Sequence, residues 1–147
     1  MRQYQTALLL AITVLGCAGS DIPAEYRADR DRMSRAFAAF SMATDMTQPP
    51  SGQSSFTMPA PRQDSVFMLI ERGVATADSI DTRFLTWLHP ELPRHFREKL
   101  VEGQRLTVRG MRADNVEDQL RGGALIREWY EGFWSANGEA ITAKALP

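Results

Sequence analysis

The chain reads as an all-α protein, a small antiparallel bundle of about four helices with one long Pro-rich loop. Three observations carry that reading. Apolar residues recur at spacings of three, four and seven along most of the chain, which puts them on one face of a 3.6-residue helix. No segment alternates β-branched and aromatic residues with polar ones as a half-buried strand does. Asp, Pro and Gly fall between the periodic runs, so the connections are short except for one stretch with four prolines.

The first helix starts near Asp21, a candidate N-cap, with Pro23 in its first turn. Tyr26, Met33, Phe37, Phe40 and Ala43 form its apolar face, and it ends before Pro49 and Pro50. From Thr47 to Arg62 the run TQPPSGQSSFTMPAPR has neither helical nor strand period and reads as a loop, long for a compact domain. Phe56 and Met58 are its apolar residues, which either tuck onto the bundle or meet a partner.

A second helix is expected from Asp64 to about Ser79, burying Val66, Phe67, Ile70, Val74 and Ala77. Asp81 caps a short helical turn holding Phe84, Leu85, Trp87 and Leu88, which His89 and Pro90 close. The third helix runs from near Glu91 to Arg112 with Leu92, Phe96, Leu100, Gly103, Leu106 and Gly110 on one stripe. Asp114 is the expected cap of the fourth, which carries Val116, Leu120, Gly123, Leu125 or Ile126, Tyr130, Phe133 and Trp134. Asn137 and Gly138 read as its stop, and Ile141 to Pro147 as a frayed tail. Gly73, Gly103, Gly110, Gly122, Gly123 and Gly132 fall inside these helices, where each costs up to about 1 kcal/mol relative to Ala. Such positions mark close helix approach or interruption.

The amino-terminal segment is of another kind. Arg2 stands in a short polar stretch, followed by an uncharged apolar run from Thr6 to Leu15, the pattern of a secretory signal. The run is about half the roughly 20 residues that a spanning helix needs. It ends in Val14, Leu15, Gly16 and Cys17, which resembles the lipobox of bacterial lipoproteins. That resemblance implies cleavage before Cys17, a diacylglyceryl group on its sulfur, and a chain held firmly on a membrane outside the cytoplasm. Ala18 follows the cysteine where Asp favours inner-membrane retention in enterobacterial lipoproteins, so the resemblance implies the periplasmic face of the outer membrane. Residues 17 to 21 would then be a lipidated tether and residues 22 to 147 a single helical domain.

Cys17 is the single cysteine, so no intrachain disulfide can form, and lipidation accounts for an otherwise unpaired exported thiol. Seventeen basic and eighteen acidic residues give a formal charge of -1 with both signs interspersed, a balance that argues against a nucleic-acid partner. The chain has no phosphate-binding glycine loop after a strand, no nucleophile elbow and no two-histidine zinc helix. His95 with Glu91 and Glu98 could offer ligands from one helix face, but a carboxylate di-metal bundle needs a second histidine helix. Its methionines read as flexible core filler rather than as haem ligands.

Two features remain as candidate partner-binding surfaces. Arg105, Arg109 and Arg112 are spaced four and three, hence on one helix face, where they either pair with Glu102, Glu98 or neighbouring acids or meet anionic headgroups or an acidic partner. Trp129 and Phe133 share one face and Tyr130 and Trp134 an adjacent one, too many rings for a single direction. The expected function is therefore a non-enzymatic envelope adaptor without a cofactor, anchored through Cys17 and docking a protein. It is similar in outline to the secretion pilotins, although it lacks the disulfide of one such group. The alternative is a bundle that binds haem, a metal or a small apolar molecule between its helices.

Overall fold

A computed structural model describes residues 22–49 and 58–145. The signal segment, the tether with Cys17, the Asp21 cap and Phe56 lie outside the described residues. Among the described residues there are five helices and no strand, which makes the fold all-α as the periodicity predicts. A single turn, Ala24–Tyr26, leads into α1, Arg27–Thr47; α2 is Ala60–Asp78 and α3 is Thr82–Leu88. The α4 helix comprises Leu92–His95, a π-helical stretch Phe96–Val101, and Glu102–Arg112. The α5 helix comprises Val116–Arg127, a π-helical stretch Glu128–Trp134, and Ser135–Ala145.

Helices α1 and α2 pack closely because Gly73 leaves room for an aromatic ring. A Cβ there would lie 2.5 Å from Cε1 of Phe40. All five residues expected to bury on α2 do so, together with Met33, Ala36, Phe40 and Ala43 of α1. The turn after α2 is fixed by polar contacts. Asp81 caps α3 by accepting from the Arg83 amide at 2.7 Å. The buried Asp29 of α1 accepts from the Asp81 amide at 3.2 Å and from Arg32 at 2.7 Å, and Arg97 of α4 donates to the Ile80 carbonyl at 2.7 Å. A buried carboxylate is tolerated only when so satisfied. Phe84, Leu85 and Leu88 of α3 then complete the core with Leu92, Phe96 and Leu100 of α4.

The antiparallel hairpin of α4 and α5 is held differently, backbone against backbone. A Cβ on Gly122 would lie 2.5 Å from Oγ1 of Thr107 and 2.7 Å from the Gly103 carbonyl oxygen. One on Gly103 would lie 2.8 Å from Cγ1 of Ile126, and one on Gly110 would lie 2.7 Å from the Gln119 amide nitrogen. The intervening turn closes with the Asn115 amide donating to the Gly110 carbonyl at 2.7 Å. Asp114 occupies the left-handed region there at φ 51°, a position that Asp tolerates better than most residues.

Four expectations need correction. The α2 helix begins at Ala60 rather than Asp64, since Pro61 in the first turn lacks only an amide that would go unused. Asn115, whose side chain accepts from the Asp118 amide at 3.2 Å, caps α5 in place of Asp114. The α5 helix does not stop at Asn137 and Gly138. Gly138 lies under Trp134, where a Cβ would come within 2.8 Å of the indole, and the helix continues to Ala145. Ile141 is buried, and the Lys144 ammonium donates to the Trp87 carbonyl and stands 4.7 Å from that indole's centroid, so this segment is docked rather than frayed. Finally, Val116 and Leu120 are not in the core, because the side of α5 that faces α4 is the one bearing Gln119, Gly122 and Ile126.

The two adjacent glycines of α5 make opposite predictions. Gly122→Ala forces apart the seam and is expected to destabilise the fold by about 1–3 kcal/mol. Gly123→Ala meets open space and is expected to stabilise it by about 0.5–1 kcal/mol through helix propensity. Chemical denaturation of both variants checks the pair, and equal effects of one sign would contradict this placement of the seam.

Candidate functional site

Arg105, Arg109 and Arg112 lie on α4 as the spacing predicts, and the structure gives each an acidic partner. Arg105 bonds Glu102 at 2.5 Å and Asp78 of α2 at 2.9 Å, and Arg112 bonds Glu71 of α2 through Nε at 2.9 Å. These two bridges cross from α4 to α2 one heptad apart. Arg109, between them, turns the other way and bonds Asp118 of α5 at 2.7 Å and 2.9 Å, and that bonding holds the Asp118 carboxyl below the usual carboxylate range. Beneath the bridges is a groove of about 410 Å³ with Ile70, Val74, Ala75 and Val108 in its lining. Its guanidiniums are already matched by carboxylates, so it offers an anion no excess positive charge.

The π-helical stretches bring the aromatic residues together. A π turn bonds residue i to i+5, which sets Trp134 as well as Phe133 beside Trp129. Their ring centroids lie 5.5 Å and 5.3 Å from that of Trp129, while Phe37 reaches Trp134 at 5.7 Å. Trp129 is fully buried and belongs to the core, so it presents no surface to a partner. Its Nε1 has no acceptor among the described residues. Trp134 is partly buried against the core, as is Met58, two residues before α2. His95 stacks on Phe133 at 4.4 Å and His89 meets the same ring edge-on at 5.4 Å. Among the described residues no group of three or more His, Cys, Asp or Glu is placed to hold a metal ion.

The feature that sequence reasoning missed is the outward side of α5. Val116 is 61 % exposed and Leu120 71 % exposed, and with exposed Gly123 and Ala124 they form a stripe at spacings of four and three. Exposed Glu117 and Arg121 border it on one flank. The inward side of these three turns buries only Gly122. The signal was present in the sequence as two glycine-bearing faces, on Gly103 with Gly110 and on Gly122. Pairing those faces would have turned Val116 and Leu120 outward.

Comparison of the chain with family models, with curated proteins and with solved structures found no match. The candidate site therefore rests on geometry alone. No helix among the described residues is long and apolar enough to cross a membrane.

Tyr130 supplies a titration that reads out the aromatic cluster. Burial pushes its phenol up to about 12 from the ordinary value of 10. The protonated form is favoured in the fold, so this contribution is fully present below pH 10 and is lost as pH rises toward 12. Denaturation measured across pH 9 to 12 is expected to show that decline, and Tyr130→Phe should flatten it. An unchanged slope in the variant would place the loss elsewhere.

Proposed function

We propose that this chain is a lipid-anchored, non-enzymatic interaction module of the bacterial cell envelope, tethered through Cys17 and docking a protein through the outward face of α5. The observation that carries the reading is the exposure of Val116 and Leu120 on a helix whose packing is already completed by glycines on its other side. Large apolar side chains grouped on a solvent face mark interaction sites. The lipobox-like Val14-Leu15-Gly16-Cys17 supports the anchor, and Ala18 after it supports the periplasmic face of the outer membrane. Residues 18 to 21 would span at most about 14 Å between the lipid-bearing cysteine and the described domain, which begins at Ile22, keeping the domain near the bilayer surface.

A second reading, a bundle that binds a small apolar molecule, is favoured by the groove between α2 and α4. It differs in what should leave the membrane with the protein: a bound small molecule rather than a polypeptide.

Two substitutions test the first reading. Cys17→Ser is expected to abolish acyl labelling and move the protein from the membrane to the soluble fraction. Leu120→Lys should leave labelling and far-UV circular dichroism unchanged while a stoichiometric protein partner, captured from detergent-solubilised membranes, is lost. A Cys17→Ser protein that stays labelled and membrane-bound contradicts the anchor. A partner that survives Leu120→Lys contradicts the docking face.

A further inference from the structure

We propose that the outward face of α5 pairs with a second copy of this chain, antiparallel, about a two-fold axis beside Leu120. The proposal rests on the reading of this face as an interaction surface and names its occupant. Its basis is that the face is complementary to itself. At about 100° per residue, Val116 and Gly123 fall on one flank of Leu120, and Glu117 and Arg121 on the other. In an antiparallel pair each flank meets the same flank of the copy. The midpoint of Val116 and Gly123 and the midpoint of Glu117 and Arg121 both lie within one residue of Leu120. One axis therefore sets Leu120 against Leu120 once, on the axis, and sets the Val116 side chain over the open notch at Gly123 and Glu117 against Arg121 twice each.

The participants are available. Among the described residues nothing lies within 4 Å of a Cβ placed on Gly123. Glu117 and Arg121 are exposed, and among the described residues neither is in an ion pair; Arg121 exerts a lesser Coulombic pull on Asp118, whose carboxylate is bonded by Arg109. A symmetric interface must be complementary to itself in this way. Its size sets its strength. Three turns of helix span about 18 Å and cover less than the roughly 800 Å² per partner of a standard specific interface, so the pairing is weak and concentration-dependent. Confinement to a membrane surface raises the effective concentration that such a contact needs.

Charge reversal separates this geometry from general stickiness. The full chain, purified from membranes in a non-ionic detergent, is examined by sedimentation equilibrium over a range of concentrations. The proposal predicts a reversible monomer–dimer equilibrium that Glu117→Arg and Arg121→Glu each weaken by about tenfold or more, and that the double variant restores. Far-UV circular dichroism confirms that these exposed substitutions leave the fold intact. A chain that stays monomeric throughout overturns the proposal, and so does a dimer indifferent to the reversals. If the monomeric chain still captures a different protein through Leu120, self-pairing fails while the interaction reading stands. Failure of both measurements removes both.

Discussion

Gly103 and Gly122 bring the backbones of α4 and α5 into contact, and this close approach fixes how every other side of α5 is used. Helices normally stand 8–10 Å apart with side chains interleaved. Here the seam replaces side chains with backbone, so three turns of α5 are held while burying only one residue. The closed turn at Gly110 and the Arg109–Asp118 pair follow from that geometry, since each spans the same narrow gap. With the inner side complete, nothing in the fold requires apolar residues on the outer side. Val116 and Leu120 are there nonetheless.

The carboxyl-terminal half of α5 behaves oppositely. The seam gives way to the largest side chains of the chain, with Trp129 packed against Phe96 from the facing π stretch of α4 and Phe133 against Trp129 and His95. Widening both helices in the core lets bulky rings fit where α-helical turns would crowd them. The molecule thus has a rigid aromatic end, into which α1, α3 and the last turns of α5 also pack, and a glycine-joined hairpin end with a free outer face.

Much of this was legible in the sequence. The stripe on α2 and the apolar run on α4 are legible because large residues at helical spacing mark the buried side, and the Asp81 cap because a short acceptor side chain stands just before a helical run. On α5 size misleads: Val116 and Leu120 have helical spacing yet face solvent, and the buried marker of those turns is Gly122. Asn137 with Gly138 looked like a helix stop, since glycine serves there as a left-handed cap, but the absent Cβ is used to seat Trp134. Trp129 as a partner-binding residue could not survive its burial, and the basic row of α4 was identified by spacing while its acids, Glu71, Asp78 and Asp118, are brought to it only by the fold.

The central claim is that the outer face of α5 is a surface covered in the cell rather than an incidental apolar patch. Hydrogen exchange of the protein in its own membranes, compared with the detergent-purified protein at high dilution, tests it most directly. The account predicts that amides of Val116–Arg127 exchange more slowly in the membrane, because docking stabilises a hairpin end that otherwise opens locally, while those of α2 are unchanged. Equal exchange of Val116–Arg127 in both samples would contradict it.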